Sequence, residues 1–284
     1  MTAKLFDLAG RRALVTGAGA NGGIGHAIAM GFARAGARLA VCDIDEAGLA
    51  HTSEELEAYG GAAAAARCDI SNEADVENFF AQVKRAFGGV DILVNVPFVF
   101  PRRCPPHEVT LEDWRRMFDV NVTGYFLFVR AVLPQMLAQG RGAIINIGSN
   151  AGETALGRGA FPYSCTKSAV HQMTRELAVE YGARGIRTNA IAPAQVLTPG
   201  LAAHMNNSHF RNKILPRIMM GLPMGRLLSP EDMVGPAIFL ASDAAGSVNG
   251  VILPVDGGNL VMNAGGSHDA ILQEQPVAAD ESQR

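Results

Sequence analysis

A tyrosine and a lysine four residues apart, Tyr163 and Lys167, form a pair that could move a proton near neutral pH. In a helix, residues at this spacing lie on one face, so both side chains would point into the same cleft. A free phenol titrates near pH 10, and about 4 kcal/mol of preference for the phenolate is needed to bring its pKa to about 7. One ammonium at about 4 Å, in an effective dielectric near 20, supplies roughly that much. The same pair could also lie on an exposed helical turn with no catalytic role. The surrounding elements must therefore distinguish between these two interpretations.

A glycine-rich loop follows a short apolar run at residues 12–16, and a helical pattern begins at Ile24. Glycines let the backbone approach a ligand closely, and the free N–H groups at the helix start attract a diphosphate. An ordinary strand-to-helix turn is the alternative for such a loop taken alone. The residues that we assign to this phosphate cradle are Gly17, Gly19, Asn21, Gly23, Ile24 and Gly25.

A second apolar strand, residues 38–42, ends at Asp43. This is roughly 20 residues after the loop, where dinucleotide-binding folds place an acidic residue on the adenosine ribose. A carboxylate there accepts a hydrogen bond from the 2′-hydroxyl and repels a 2′-phosphate, which favours NAD over NADP. The alternative is that Asp43 caps the next helix, near which Asp45 also stands. We expect the ribose role.

The alternation of apolar strands and helical patterns continues along the chain. Further helices are predicted at 46–59, 73–87, 111–136, 163–181 and 230–242, and further strands at 62–67, 91–95, 143–147, 185–192 and 250–258. Strands that are apolar throughout and separated by helices indicate a parallel sheet covered on both faces. We therefore predict an α/β fold, a single doubly wound Rossmann-type domain over residues 1–263 with a seven-stranded parallel sheet.

Two segments fall outside this alternation. Residues 194–228 are long, rich in Met and Leu and interrupted by Pro and Gly, which suits a lid over the cleft. A packed helical insertion is the alternative of equal weight. A Met-rich lid favours an apolar substrate, cyclic or aromatic, because Met side chains adapt to irregular apolar shapes. Residues 264–284 form a polar C-terminal tail that we place outside the domain.

The composition excludes several classes of partner. The 284 residues are 48% hydrophobic and 18% charged, as in a soluble globular protein that can bury a large core. The net charge of −3 argues against a nucleic-acid partner. We expect no membrane partner, since no apolar run is long enough to span one and the N-terminus lacks a signal-peptide core. The four scattered cysteines predict no metal site and a reduced, cytoplasmic setting.

Taken in order, these motifs resemble those of the short-chain dehydrogenase/reductase family, in its single-domain branch of about 250 residues. The resemblance covers roughly residues 8–260. The motifs that carry it are the Gly17–Gly25 loop, Asp69 after the third strand, Asn121 in the long helix, Ser149 after the fifth strand, the Tyr163/Lys167 pair and Val255-Asp-Gly-Gly.

The resemblance implies an oxidoreductase that moves a hydride between a secondary alcohol or ketone and a nicotinamide. In such an enzyme Tyr163 is the general acid/base, and Lys167 lowers its pKa and binds the nicotinamide ribose. Ser149 hydrogen-bonds the substrate oxygen, and Asn121 holds a water that relays protons. Beyond the cradle, the implied cofactor-binding residues are Asp43, Asp69, Ile70, Asn95, Tyr163, Lys167, Pro193, Val196 and Thr198.

Three departures from the family pattern fall among the cofactor-binding motifs. Five residues separate Gly17 from Gly23 where the family has three, and a register starting at Gly19 restores three. Which glycine leads is therefore open, and the loop is wider than usual. The family's Asn-Asn-Ala-Gly after strand four is Asn-Val-Pro-Phe98 here, which directs Phe98 toward the substrate. The usual Pro-Gly after strand six ends in Ala194.

The leading interpretation is NAD-dependent oxidation of a small secondary alcohol, or the reverse ketone reduction. One alternative is reduction of 3-oxoacyl groups on a carrier protein, a branch that usually prefers NADPH and is therefore opposed by Asp43. Another is a non-catalytic cofactor-binding regulator on the same fold. Arg102 and Arg103 are candidates for binding a carboxylate, although adjacent arginines are more often solvated. The resemblance also implies a homotetramer.

Overall fold

The computed structural model describes residues 5–100 and 102–262, and the predicted tail at 264–284 lies outside them. Its strands are β1 Arg12–Thr16, β2 Arg38–Asp43, β3 Ala62–Arg67, β4 Ile92–Asn95, β5 Gly142–Ile147, β6 Ile186–Pro193 and β7 Ile252–Val255. All pair in parallel, in the order β3-β2-β1-β4-β5-β6-β7. The predicted seven-stranded parallel sheet is confirmed.

The helices cover both faces of the sheet. They are α1 Ile24–Arg34, α2 Glu46–Leu56, α3 Glu73–Phe87, α4 Leu111–Phe118, α5 Gly124–Gln139, α6 Phe161–Tyr181, α7 Pro199–Ala202, α8 Leu215–Met220 and α9 Val234–Ala241. One apolar cluster packs α1, α2 and α9 on the sheet, and a second packs α3, α5 and α6 on the opposite face. The inner strands β1, β2, β4, β5 and β6 are buried on both faces and are mostly apolar, whereas the edge strand β3 exposes alternate residues.

The strand order reverses between β1 and β4. From β1 the chain winds outward through β2 and β3, and it then returns to place β4 on the other side of β1. In open α/β sheets, ligands bind in the crevice at the carboxyl ends of the strands beside such a reversal. The topology therefore brings the glycine loop, the residues after β4 and β5, and the start of α6 to one edge.

The helix predicted at 111–136 is divided in the structure. A π-helical turn at Asp119–Thr123 separates α4 from α5. Such turns carry one extra residue within a helix and are frequent at functional sites. By length and composition, Leu111–Gln139 is apolar enough to cross a membrane, but half of its most apolar stretch is buried in the fold. It packs as a core helix pair, and the absence of a membrane partner stays a prediction.

Residues 194–228 leave the sheet edge and return to it. Val196 and Leu228 form a parallel bridge, and the Leu197 N–H donates to the Leu228 carbonyl at 2.7 Å. Ile218 in α8 is buried, whereas Met220 is 69% exposed. The bridge joins the two ends of the segment, and Ile218 packs α8 against the domain. Other side chains of the segment, such as Met220, face solvent. The buried Ile218 fits a packed insertion, and the exposed Met220 fits a lid. That the segment closes over the cleft stays a prediction.

Candidate active site

A cleft of about 910 Å³ opens at the carboxyl ends of the central strands. The predicted site residues that line it are Gly17, Gly23, Ile24, Gly25, Asp43, Asp69, Ile70, Ser149, Tyr163, Lys167, Pro193, Val196 and Thr198. They come from six separate loops and helix ends that only the fold brings together. Four other predicted residues, Gly19, Asn21, Asn95 and Asn121, stand behind or beside this wall.

The geometry of the glycine loop identifies Gly17 as its leading glycine. Gly17 has a φ of 71°, in the left-handed region, and a Cβ built on Gly25 would lie 2.1 Å from its carbonyl oxygen. Gly17 and Gly25 therefore pack backbone to backbone, which only glycine permits. The extra residues bulge outward, with Asn21 exposed at the tip. Gly19 instead packs against Asp43, because a Cβ there would lie 2.7 Å from the Asp43 Cβ.

The start of α1 is suited to an anion. Its N-cap residue is Gly23, no side chain caps it, and no acidic residue occupies its first turn. By contrast, Asp45 caps α2 and Asn72 caps α3 through side-chain oxygens. The first N–H groups of α1 thus remain free to bind a diphosphate, which is what a dinucleotide would place there. The residues present fit the predicted cofactor at this point.

Asp43 is held by two backbone donors at the edge of the cleft. Its Oδ2 accepts from the Gly19 N–H at 2.8 Å, and its Oδ1 accepts from the Asp45 N–H at 2.9 Å. The cap of α2 is Asp45, which accepts from the Gly48 N–H at 3.2 Å. The helix-cap alternative for Asp43 is therefore wrong, and its carboxylate is oriented and faces the cleft.

Strand β3 places a basic residue, Arg67, next to Asp43, although the two residues are far apart in the sequence. Arg67 is the register partner of Asp43 across β2 and β3. Its guanidinium lies 3.8 Å from Glu46 and 3.5 Å from Asp75, so its charge is already shared between two carboxylates. Further along the wall, Asp69 accepts from the hydroxyl of Ser71 at 2.6 Å, which fixes the turn after β3.

Ser149 and Tyr163 face each other at the centre of the cleft. Ser149 follows β5 and opens a turn at Asn150–Gly152, where its Oγ accepts from the Ala151 N–H at 3.1 Å. Burial raises the pKa of Tyr163, while the hydrogen bond with Ser149 and the charge of Arg103 act to lower it. The net direction is upward, so the lowering that the sequence led us to expect from Lys167 is not found. Among cations, Arg103 contributes to the opposing, lowering effect.

Lys167 lies fully buried beneath Tyr163. Its Nζ donates to the carbonyl oxygen of Ile147 at 2.7 Å. Three aromatic rings surround the nitrogen, with centroids 5.5 Å (Tyr125), 5.6 Å (Phe98) and 5.9 Å (Tyr163) away. Burial lowers the pKa of Lys167 from 10.5 to about 7. Near neutral pH this amine can therefore both give and take a proton.

Asn121 occupies the π-helical turn and joins two parts of the site. Its Oδ1 accepts from the Val99 N–H at 2.7 Å, and its Nδ2 donates to the Val99 carbonyl and to the Thr166 hydroxyl, both at 3.1 Å. The side chain thus links the loop after β4 to α6 beside Lys167. Its role in holding a relay water stays a prediction.

Asn95 belongs to the framework behind the cleft. It is completely buried at the end of β4, where its Nδ2 donates to the Oδ1 of Asn146 at 3.0 Å. Asn146 in turn donates to the Thr174 hydroxyl at 3.0 Å. This chain ties β4 and β5 to α6. The cleft wall itself begins at the next residue, Val96, and a contact of Asn95 with the cofactor stays a prediction.

Aromatic side chains from the Pro-rich connection surround Tyr163. The Phe98 ring is 5.8 Å and the Phe100 ring 5.3 Å from the Tyr163 ring, centroid to centroid. The approach of Phe98 was expected from the sequence, whereas that of Phe100 was missed. Arg103 lies over the Phe100 ring at 4.7 Å, while Arg102 is exposed and reaches the carboxylate of Asp113 at 3.4 Å. The two adjacent arginines thus have different environments.

Other cleft residues carried no sequence signal that we recognised. The amphipathic start of the long helix contributes four charged residues to the wall, namely Glu112, Arg115, Arg116 and Asp119. Among residues 5–100 and 102–262, no group of three or more His, Cys, Asp or Glu side chains could hold a metal ion. That the enzyme needs no metal ion stays a prediction.

Comparison with known proteins agrees with this architecture. Residues 17–259 match the family described as Enoyl-(Acyl carrier protein) reductase. D-threitol dehydrogenase of Mycolicibacterium smegmatis is 39% identical over 253 residues, which are 89% of this chain and 94% of that protein. 2,5-Dichloro-2,5-cyclohexadiene-1,4-diol dehydrogenase of Sphingobium indicum is 40% identical over 256 residues, 89% of this chain and 98% of that protein.

A solved structure gives the same result. The crystal structure of gluconate 5-dehydrogenase from Burkholderia cenocepacia, in complex with NADP and tartrate, superimposes with a TM-score of 0.83 at 35% identity. The match covers 93% of this chain and all of that one. Sequence identity above 30% across nearly whole chains, with the same fold, leaves one conclusion: the chain belongs to the short-chain dehydrogenase/reductase family.

Proposed function

We propose that the chain is an NAD-dependent dehydrogenase that interconverts a secondary alcohol and its ketone. The observation that carries this proposal is the convergence of Ser149, Tyr163 and Lys167 in a cleft that also holds the free start of α1 and an oriented Asp43. Relatives that oxidise alcohols support the reaction class. A regulator that only binds a cofactor would not require the three proton-handling side chains.

The cleft residues would hold the cofactor along its length. The N–H groups of Ile24 and Gly25 would bind the diphosphate, Asp43 would bind the adenosine ribose, and the stretch from Pro193 to Thr198 would contact the nicotinamide end. When bound, the nicotinamide supplies the hydride acceptor or donor. The task of the protein is then to orient the substrate carbon and to move one proton.

The proton moves through Tyr163. In oxidation, the phenolate form of Tyr163, which its raised pKa makes scarce at neutral pH, takes the proton of the substrate hydroxyl, while the Ser149 hydroxyl hydrogen-bonds the substrate oxygen. Lys167, with a pKa of about 7, exchanges a proton readily at neutral pH. The carbonyl of Ile147 orients this amine and accepts from the Tyr125 hydroxyl as well, at 3.2 Å. The reverse direction uses the same groups in the opposite protonation states.

The choice of NAD rests on Asp43. Two backbone N–H groups fix its carboxylate at the cleft wall. The negative charge of this carboxylate would therefore repel the 2′-phosphate of NADP. The nearby Arg67 is shared between Glu46 and Asp75, which reduces its ability to compensate. The Burkholderia relative was solved with NADP, so the preference of this chain for NAD is a matter for measurement.

The substrate class that we propose is an apolar, cyclic secondary alcohol. The rings of Phe98 and Phe100 stand beside Tyr163, where they would pack against a substrate ring. The exposed Met220 and Met224 are available to cover it from the 194–228 segment. The Sphingobium relative acts on a chlorinated cyclohexadienediol, which is a cyclic alcohol of this kind.

A second candidate is reduction of an oxoacyl group on a carrier protein. It is favoured by the description of the matching family, which names a reductase of carrier-bound acyl chains. The two candidates differ in cofactor and direction. Purified protein should reduce NAD in the presence of cyclic secondary alcohols, as followed by the near-ultraviolet absorbance of the reduced nicotinamide. Activity with an acetoacetyl carrier thioester and NADPH, and none with the alcohols, would instead support the second candidate.

We propose a cytoplasmic homotetramer, built on the long helices. Among the described residues, apolar side chains stay exposed on α5 and α6, including Phe126 (47%), Phe161 (48%) and Val179 (82%). Subunit contacts would cover these side chains. Light scattering at micromolar concentration should give four times the 29.9 kDa chain mass, and a monomer would refute the proposal.

A further inference from the structure

A buried histidine stands directly behind the catalytic serine. His171 lies one helical turn after Lys167 on α6 and is completely buried. Its Nε2 lies 3.4 Å from the backbone nitrogen of Ser149, which donates to it. His171 does not line the cleft, so it would act on Ser149 and not on the substrate.

The turn that carries Ser149 is shaped around this imidazole. A Cβ built on Gly148 would lie 2.2 Å from the His171 Nε2, and a Cβ on Gly152 would lie 2.6 Å from its Cε1. Both glycines therefore leave the space that the ring occupies. Gly148 and Gly152 flank Ser149 and both pack against the ring, so the position of the His171 ring and the position of the serine turn depend on each other.

The other side of the ring faces a charged pair. Nδ1 lies 2.9 Å from the Oε1 of Glu153, in a short contact whose angle is not that of a straight hydrogen bond. The same carboxylate oxygen accepts from Arg175 at 3.1 Å. Burial lowers the pKa of His171, Glu153 opposes this shift, and the charges of Lys167 and Arg175 add to it. The ring is therefore neutral at neutral pH.

We propose that His171 is a positioning residue, protonated on Nδ1 toward Glu153, whose Nε2 holds the backbone of Ser149 so that the serine hydroxyl stays directed at Tyr163. A neutral imidazole has one donor and one acceptor nitrogen, and the Ser149 N–H requires the acceptor to be Nε2. The proposal rests on the proposed function only in that Ser149 and Tyr163 carry out the reaction. The tautomer of His171 follows from the geometry alone.

The tautomer can be measured without a substrate. Long-range ¹H–¹⁵N correlation spectra of the ¹⁵N-labelled full-length protein separate the two neutral tautomers, and loss of one signal set in His171→Gln assigns the residue. The expected result at neutral pH is a neutral ring with its proton on Nδ1. A proton on Nε2, or a doubly protonated ring, would overturn the proposal. This measurement on the unmutated protein stays decisive even where a variant fails to fold.

The effect on catalysis is tested with a pair of variants. In His171→Leu no acceptor remains, and kcat should fall by about tenfold or more while the KM for NAD changes little, since about 1.4 kcal/mol of positioning is lost. In His171→Gln the side-chain oxygen can take the place of Nε2, and most of kcat should return. Equal kcat values for the two variants would contradict the proposed role.

A matched control separates positioning from loss of stability. Val170 is the adjacent buried residue on α6 and packs in the apolar cluster formed with α3 and α5. Val170→Ala should lower the melting temperature but leave kcat near that of the wild type. A drop in kcat equal to that of His171→Leu would show that any loss of α6 packing has the same effect, which would contradict the proposal. Absence of alcohol oxidation by the wild-type protein would refute the proposed function, while the tautomer measurement would still test the role of His171.

Discussion

The Nζ atom of Lys167 donates to the carbonyl oxygen of Ile147 at 2.7 Å, so this lysine is bound to the carboxyl end of β5. The same nitrogen lies over the Tyr163 ring, 5.9 Å from its centroid. Burial leaves the amine with a pKa of about 7. In this arrangement Lys167 is a source and acceptor of protons, and its charge is not permanent.

The buried amine should make stability depend on pH. Between about pH 7 and 10.5 the unfolded chain keeps the Lys167 proton and the folded chain does not. The unfolded state then binds more protons, so the free energy of unfolding should rise with pH, by up to about 1.4 kcal/mol per pH unit from this group. Lys167→Met should remove this slope in urea titrations at pH 7, 8 and 9. Lys84→Met, an exposed site on α3, is the control that should keep it, and parallel curves for Lys167→Met and the wild type would contradict the expectation.

Removal of the Asp43 carboxylate should change cofactor preference. We expect the wild type to prefer NAD over NADP by about two decades in kcat/KM, the usual effect of one fixed charge in such a contact. Asp43→Ala should shrink that ratio, chiefly by raising the KM for NAD, and leaves Arg67 beside an incoming phosphate. Asp45→Ala removes the cap of α2 and should cost about 1 kcal/mol of stability without changing the ratio. Equal use of both cofactors by the wild type would show that Asp43 does not bind the ribose.

The contact between two loop glycines should not tolerate a methyl group. A Cβ on Gly25 would lie 2.1 Å from the Gly17 carbonyl oxygen, so Gly25→Ala must displace backbone at the diphosphate site. We expect NADH affinity to fall by at least about tenfold, or 1.4 kcal/mol. Gly235→Ala in α9 is the matched control, because nothing lies within 4 Å of its Cβ position. It should be neutral or stabilise the protein by about 0.5–1 kcal/mol, and unchanged NADH binding by Gly25→Ala would argue against the assigned cradle.

Arg103 should set the pH at which oxidation begins. Burial raises the pKa of Tyr163, and the positive charge of Arg103 acts against this rise. In the proposed mechanism, the phenolate form of Tyr163 accepts the substrate proton. Arg103→Gln should therefore move the rising limb of the kcat profile for oxidation to higher pH. Arg102→Gln, beside it but paired with Asp113, should leave the limb in place. The same shift in both variants would mean that general surface charge is responsible.

Sequence patterns predicted the fold because each element carries its own periodic signal. Continuously apolar strands such as β5, between amphipathic helices such as α3, allow few arrangements other than a covered parallel sheet. The Tyr163/Lys167 spacing and the serine after β5 then indicated residues that the structure brings together in one cleft. These features depend on local order along the chain, which a single sequence displays directly.

What the sequence did not reveal depends on contacts between distant residues. The π-helical turn at Asn121 adds one residue to a helix without any change in composition, so the pattern shows one long helix. The inward orientation of Asn95 toward Asn146 depends on the position of a neighbouring strand. The contact of His171 with the serine turn joins α6 to the loop after β5. None of these follows from spacing alone.

The most direct test of the central claim is the turnover of Tyr163→Phe with NAD and a cyclic secondary alcohol that the wild type oxidises. The ring packs against Phe98 and Phe100 and should keep its place, so only the titrating hydroxyl is lost. We expect NADH binding, measured by fluorescence titration, to match the wild type while kcat falls below the detection limit. Retention of more than a few per cent of wild-type kcat would show that Tyr163 is not the general acid/base of this enzyme.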